Sequence, residues 1–209
     1  MLILLADDHA VVRRGLHDAF ADAFPGAQFA EAGTGDEVLA CIRKHACNLV
    51  VLDVNMPGRS GVDVLRQIKS VAPDVPVLML SVQPEDQYAV RCLKAGASGY
   101  LSKDSAVEEL VKAAQKVMEG GRYVSAQLSE KLAREIQQPS AKEPHQLLSD
   151  RELEVMRMIA SGKSLTEIGE ALHLSVKTVS TYRSRCLLKM QLQSNAELVR
   201  YVLEHKLLP

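Results

Sequence analysis

Two hydrophobic patterns alternate along the first half of the chain, and their alternation predicts the fold. Short runs dominated by apolar residues, Leu2 to Ala6, Gln28 to Ala32, Leu49 to Asp53, Val75 to Leu80 and Gly99 to Leu101, read as strands. Between them apolar positions recur at helical spacing. Val12, Leu16, Ala19, Phe20 and Phe24 mark a helix from about Ala10, and similar segments run Glu37 to Lys44, Val62 to Val71, Gln87 to Ala95 and Ala106 to Glu119. Pro25-Gly26 stops the first helix and Gly120-Gly121 the last. Strands that each feed a helix predict a five-stranded parallel, doubly wound α/β sheet. Leu49 to Leu52 is apolar without alternation, as in a strand buried on both faces. It ends on one carboxylate, Asp53, and Met56-Pro57-Gly58 prevents the strand from continuing.

The pattern changes after Gly121. Leu128 to Ile136 has helical spacing, and residues 137–144 form a polar stretch broken by Pro139 and Pro144, which predicts a partly helical linker over 122–145. From residue 146 onward the signal is entirely helical. Ser149 with Glu152, and Ser164 with Glu167, are capping boxes ahead of apolar periodicity, and Ser175 starts a third helix to about Met190. Val179, Cys186, Leu187 and Met190 share one face of it, while Lys177, Ser180, Thr181 and Ser184 point elsewhere. Two helices joined by a short turn suit a helix-turn-helix. The predicted organisation is a sheet domain over 1–121, a linker over 122–145 and an all-α four-helix domain over 146–209.

Composition refines this picture without overturning it. The 209 residues are 47% hydrophobic and carry a net charge of −1, which splits into −4 over residues 1–121 and +2 over 146–209. An acidic first domain and a basic last one point to different partners. No acid lies between Glu170 and Glu197, while Lys177, Arg183, Arg185 and Lys189 fall in that gap, a plausible phosphate-binding surface or an ordinary solvated helix face. The four cysteines have no metal-site spacing, and MLILLADDHA is far too short an apolar run for a signal peptide or membrane span. A cytoplasmic protein with reduced thiols and no membrane partner is expected.

Candidate chemistry lies at the strand ends. In an open α/β sheet the carboxyl ends of the strands form the functional crevice, so Asp7 and Asp8 after the first strand and Asp53 at the end of the third converge there. Three carboxylates repel unless a cation joins them, and hard oxygen ligands suit Mg²⁺. Ser81 after the fourth strand and Lys103 after the fifth add a hydroxyl and an ammonium. Singly, Ser81 reads as a capping hydroxyl, Lys103 as a surface charge and Asp7-Asp8 as a helix-start charge pair. Jointly they suit an aspartyl-phosphate, with Asp53 as nucleophile.

On these residues the first domain resembles the receiver domain of two-component response regulators: the acid pair Asp7-Asp8, Asp53 within LDVNMPGRSG, Ser81, and Tyr100 and Lys103 within GYLSKD. Residues 147–207 resemble the LuxR-type helix-turn-helix of the NarL/FixJ subfamily, through LSDRELEVMRMIASGKSLTEIGEALHLSVKTVSTYRSRCLLKM and NAELVRYVLEHKL. The resemblance implies a flavodoxin-like receiver, Mg²⁺ held by Asp8, Asp53 and the Asn55 backbone carbonyl beside Asp7, and phosphoryl transfer to Asp53 from a partner histidine kinase. It implies a switch in which Ser81 moves toward the phosphoryl group and Tyr100 turns inward. It also implies Val176 to Met190 in the DNA major groove, with Ser180, Thr181 and Ser184 near bases and Lys177, Thr178, Arg183, Arg185 and Lys189 near phosphates. Leu198, Val199, Val202 and Leu203 would form a homodimer face, and RNA polymerase is an expected partner. Val82, Asn55, Gly169 and Tyr182 depart from the commonest family residues. A phosphoester hydrolase is the alternative class for the acids, disfavoured by the absence of any cap insertion, and a protein-binding adaptor is the alternative for the last helices.

Overall fold

In the computed structural model the chain forms two compact units, Met1–Gln137 and Gln138–Pro209. The structure describes residues 1–82, 85–125, 128–130, 143–205 and 207–208, and for 85–87 the backbone alone.

The first unit is a five-stranded parallel sheet in the order β2-β1-β3-β4-β5, with β1 Leu2–Ala6, β2 Gln28–Ala32, β3 Leu49–Asp53, β4 Val77–Ser81 and β5 Gly99–Ser102. Its helices are α1 Ala10–Ala23, α2 Gly35–Lys44, α3 Gly61–Val71, α4 Glu85–Lys94 and α5 Val107–Met118. α1 packs with α5, and α2 with α3, so both faces of the sheet are covered. This is the flavodoxin-like, doubly wound arrangement the alternation predicts. The strands β3 and β4 are buried along their whole length, which is why they read as unbroken apolar runs. Under α1 and α5 the core joins Ile3, Leu5, Val51, Leu78 and Leu80 to Leu16, Phe20, Leu110 and Val117. Burying such side chains contributes about 1.5–3 kcal/mol each.

Some boundaries differ from the sequence expectation, for physical reasons. β4 starts at Val77 rather than Val75, because Pro76 has no N–H and the Val75 carbonyl is taken by the Lys69 ammonium at 2.6 Å. α2 starts two residues early, at Gly35, where the Thr34 hydroxyl accepts the Glu37 N–H. Of the helix expected over Leu128 to Ile136, residues 128–130 are helical, while 131–136 and most of the linker lie outside the described residues.

The second unit opens with a 3-10 turn, Pro144–Leu147, inside the stretch expected to be linker. Four helices follow: α6 Asp150–Ala160, α7 Leu165–Leu172, α8 Val176–Met190 and α9 Asn195–Glu204. Both capping boxes form, Ser149 with Glu152 and Ser164 with Glu167, and Ser175 caps α8 through the Thr178 N–H. α7 ends on His173, which is left-handed at φ 54°, and the Leu174 N–H returns to the Gly169 carbonyl at 2.8 Å. A Cβ on Gly169 would lie 2.8 Å from the Leu174 carbonyl oxygen, so the turn between α7 and α8 closes on a glycine. Met156, Ile168, Val179, Cys186, Leu198 and Val202 are buried.

Candidate functional site

Parallel pairing fixes where the carboxylates stand. β1 and β3 are neighbours, with Ala6 beside Leu52, so Asp7 and Asp53 emerge side by side, both 1% exposed. Lys103 follows β5 and reaches across the rim: its Nζ lies 2.9 Å from Asp53 Oδ2 and 2.5 Å from Asp7 Oδ2. Asp53 Oδ1 accepts the Asn55 N–H at 3.1 Å, and Asp7 Oδ1 accepts the His9 N–H at 2.8 Å. Ser81 is fully buried at the end of β4, and its carbonyl accepts the Lys103 N–H at 2.8 Å, which ties the lysine's backbone to the same rim. Val82 beside it is 62% exposed.

The electrostatics follow from this crowding. Burial pushes the Asp53 carboxyl above its ordinary range, the Asp7 carboxylate adds to that, and Lys103 and the Asn55 N–H offset only part. Burial pulls the Lys103 ammonium down, but Asp7 and Asp53 outweigh it and hold the group above its usual value. The Lys103 ammonium pairs with Asp7 and Asp53, while Asp8 meets the His9 ring instead. Ligand atoms of Asp7, Asp8, His9 and Asp53 lie within 4.8 Å of one another, and Asp7 Oδ2 is buried with Lys103 as its one charged contact among the described residues. The acidic cluster therefore fits a divalent cation.

Behind the crevice, Gly61 starts α3 so close to β3 that a Cβ would sit 2.1 Å from the Asp53 carbonyl oxygen, while its N–H donates to Val54 O at 2.8 Å. Tyr100 is fully buried on β5.

On the second unit the expected nucleic-acid face divides. Lys177, Thr181, Ser184 and Arg185 are exposed along α8, and Ser180 is half-buried. The Thr181 and Ser184 hydroxyls donate to the carbonyls of Lys177 and Ser180, both at 3.0 Å, so each keeps its oxygen available as an acceptor. Three expected phosphate contacts already have partners within the unit. Thr178 Oγ1 lies 2.8 Å from the Ser175 hydroxyl, Arg183 donates to Asn195 Oδ1 at 2.6 Å, and Lys189 pairs with buried Glu152 at 2.6 Å. The expected dimer face needs a correction. Leu198 and Val202 are fully buried against the unit's own core, which leaves half-buried Val199 and Leu203, 59% exposed, on the outer side of α9.

Sequence reasoning missed His9, whose only signal was its place directly after the acid pair, and the Glu152–Lys189 pair, whose partners are too far apart in the chain for any local pattern. Among the described residues no helix is long and apolar enough to cross a membrane.

Comparison with known proteins assigns each unit to a known domain family. Residues 3–115 match the response regulator receiver domain, and residues 146–202 match the bacterial regulatory proteins of the luxR family. The chain is 35% identical over 206 residues to the response regulator UvrY of Escherichia coli (strain K12), covering 98% of this chain and 94% of that protein. A LuxR-family two-component response regulator from Aurantimonas sp. SI85-9A1 has a similar crystal structure, with TM-score 0.59 and 30% identity over 66% of this chain and 98% of that one. RcsB from Salmonella enterica serovar Typhimurium, bound to promoter rprA in the presence of the phosphomimetic BeF3-, shares the fold, with TM-score 0.62 and 23% identity over 97% of this chain and 98% of that one.

Proposed function

The chain belongs to the two-component response regulators that join a receiver domain to a LuxR-type DNA-binding domain, and we propose that it is switched by phosphorylation of Asp53. The observation that carries this reading is the single ammonium of Lys103 held 2.9 Å from the buried Asp53 carboxylate, with Asp7 on its other side. A phosphoryl group on Asp53 would add charge where Lys103 is placed to neutralise it. In the transfer, an Asp53 carboxylate oxygen forms the new P–O bond as the P–N bond to the partner kinase's histidine breaks, and the imidazole leaves with the electron pair. Asp8, Asp53 and the Asn55 carbonyl, with Asp7 behind, would hold Mg²⁺, which supplies counter-charge to the phosphoryl oxygens. Ser81 is the hydroxyl that reports the change to β4 and β5.

The output is binding of double-stranded DNA as a homodimer. α8 enters the major groove with Ser180, Thr181 and Ser184 nearest the bases, and Lys177 and Arg185 neutralise phosphates. Thr178, Arg183 and Lys189 act first as internal struts of the unit and reach phosphates only by exchanging partners. Val199 and Leu203 supply the dimer contact on α9, and RNA polymerase is the downstream partner in the cytoplasm. The linker over 122–145 carries the signal between the two domains.

The experiment is DNA binding over a salt series, with and without Mg²⁺ and a small phosphodonor, comparing the parent with Asp53→Asn. Phosphodonor is expected to tighten binding of the parent alone. Equal binding by both proteins under all conditions would leave the DNA-binding assignment and remove control through Asp53.

A further inference from the structure

At the C-terminal end of α9, four side chains from two parts of the second unit meet. Glu143 and His145 come from the end of the linker and the 3-10 turn that follows it, Tyr201 and His205 from α9 and its cap. The His205 ring stacks on the Tyr201 ring, with 3.9 Å between centroids and 18° between planes. Its Nδ1 stands 2.9 Å from the Tyr201 carbonyl oxygen, and its Nε2 stands 3.5 Å from Glu143 Oε2. The Tyr201 hydroxyl lies between His145 Nδ1 at 3.0 Å and Glu143 Oε2 at 3.5 Å, and the two histidine rings meet edge to face at 6.2 Å. A backbone carbonyl only accepts hydrogen bonds, so Nδ1 of His205 needs a proton to bond it. An ionised carboxylate also only accepts, so Nε2 needs one as well. Both nitrogens of one ring face acceptors, which the imidazolium satisfies and neither neutral tautomer does.

We propose that His205 is a proton-operated clasp: its imidazolium fastens Glu143, at the end of the linker, to α9, and the clasp opens when the ring loses its Nε2 proton. The Glu143 carboxylate favours the charged ring directly. The Tyr201 carbonyl belongs to the last turn of α9, where the helix dipole also favours a cation. Among the described residues, the titratable groups around His205 are Glu143 and His145 from the linker side and Tyr201 and Glu204 from α9, where Glu204 lies 4.0 Å from Arg200. The Tyr201 hydroxyl accepts from a protonated His145 Nδ1 and donates to Glu143, which completes the network. Histidine takes up its second proton between about pH 8 and about pH 5. The clasp's contribution is therefore present on the acid side of that range and lost as pH rises. α9 also carries Val199 and Leu203, so the linker is tied to the helix of the proposed dimer contact only in the protonated state.

The test is a double-mutant cycle in the full chain, with urea unfolding read at amide signals of the second unit in the parent, Glu143→Gln, His205→Phe and the double variant. Phenylalanine keeps a ring on Tyr201 and removes both nitrogens. The His205 and Glu143 side chains are 32% and 48% exposed, which sets the scale as that of a surface ion pair. At about pH 5.5 the two substitutions are expected to be coupled by about twofold to fivefold in the unit's folding constant, and at about pH 8.5 the coupling should vanish. Ring nitrogen NMR gives an independent readout, the His205 signals being those that His205→Phe removes. Both nitrogens should be protonated at about pH 5.5, and at about pH 8.5 the remaining proton should sit on Nδ1, against the preference of free histidine for Nε2. Coupling of equal size at both pH values would make the contact independent of the proton and overturn the proposal, as would no coupling at either. An Nε2–H tautomer at the higher pH would show that Nδ1 does not donate to the Tyr201 carbonyl, and would overturn it too.

Discussion

The two units carry their chemistry in opposite places. In the first, the candidate groups are among the most deeply buried polar residues: Asp7 and Asp53 at 1% exposure and Ser81 at 0%. In the second, Lys177, Thr181, Ser184 and Arg185 are exposed, while the charges that are buried, such as Glu152 paired with Lys189, hold the unit's own helices together. A buried charge must be paired, so the receiver crevice depends on Lys103 and on any cation that joins it. An exposed face costs nothing to keep ready. The difference predicts that substitutions in the first site change stability in a cation-dependent way, and that those in the second do not.

The largest effect is expected from Lys103→Met, which leaves the Asp7 and Asp53 carboxylates facing each other without their shared ammonium. Removing one partner of a buried ion pair costs about 3–5 kcal/mol. Calorimetry should show the first unit's transition falling sharply, recovering in part with added Mg²⁺, while the second unit's transition stays put. A neutral substitution, or one that no cation relieves, would break the comparison.

Glycine contacts give the next effect and separate the units again. Gly61→Ala forces a Cβ onto the Asp53 carbonyl, and Gly169→Ala forces one onto the Leu174 carbonyl. Each is expected to cost about 1–3 kcal/mol by overpacking. Gly61→Ala should also weaken Mg²⁺ binding in calorimetric titration, whereas Gly169→Ala should leave it unchanged and lower DNA affinity.

These particulars show which parts of the molecule local pattern can carry. β3 announced itself because burial on both faces demands an unbroken apolar run, and the acids at β1 and β3 followed because strand ends are where parallel sheets open. The capping boxes were equally local, since both partners lie within one turn. Long-range pairing was out of reach: Glu152 and Lys189 meet only once α6 and α8 have packed. His9 was passed over because a histidine beside two acids has no periodicity to mark it. Leu198 and Val202 show a subtler limit. An apolar stripe says that a helix face will be covered, without saying whether the same chain or a second copy covers it.

A smaller, pH-dependent effect belongs to the second unit. Burial raises the Glu152 carboxyl, but Lys189 and the Ser149 N–H and hydroxyl outweigh it and hold the group below its ordinary value of 4.5. A carboxyl depressed in the folded state stabilises it above the unfolded pKa, and that contribution is lost as pH falls through the folded one. Urea unfolding from about pH 6 to about pH 3 should therefore show the second unit of the parent losing stability faster on acidification than that of Glu152→Gln, which has no charge to lose. A parallel decline in both proteins would mean that the Glu152–Lys189 pair contributes nothing to the fold.

The smallest effect runs the other way. His173 ends α7 in the left-handed region at φ 54°, where a side chain costs about 1 kcal/mol that glycine does not. The imidazole is exposed, and among the described residues no side-chain hydrogen bond or ion pair is lost with it. His173→Gly is expected to stabilise the second unit by about 0.5–1 kcal/mol after the added freedom of the unfolded chain is counted. In a domain of this size about 1 kcal/mol moves the melting midpoint by about 4–8 °C. The shift should appear in the second transition alone and be the same with or without Mg²⁺. If it also moved the first transition, the two units would share stability, and the separation between a charge-paired crevice and an exposed binding face would have to be given up.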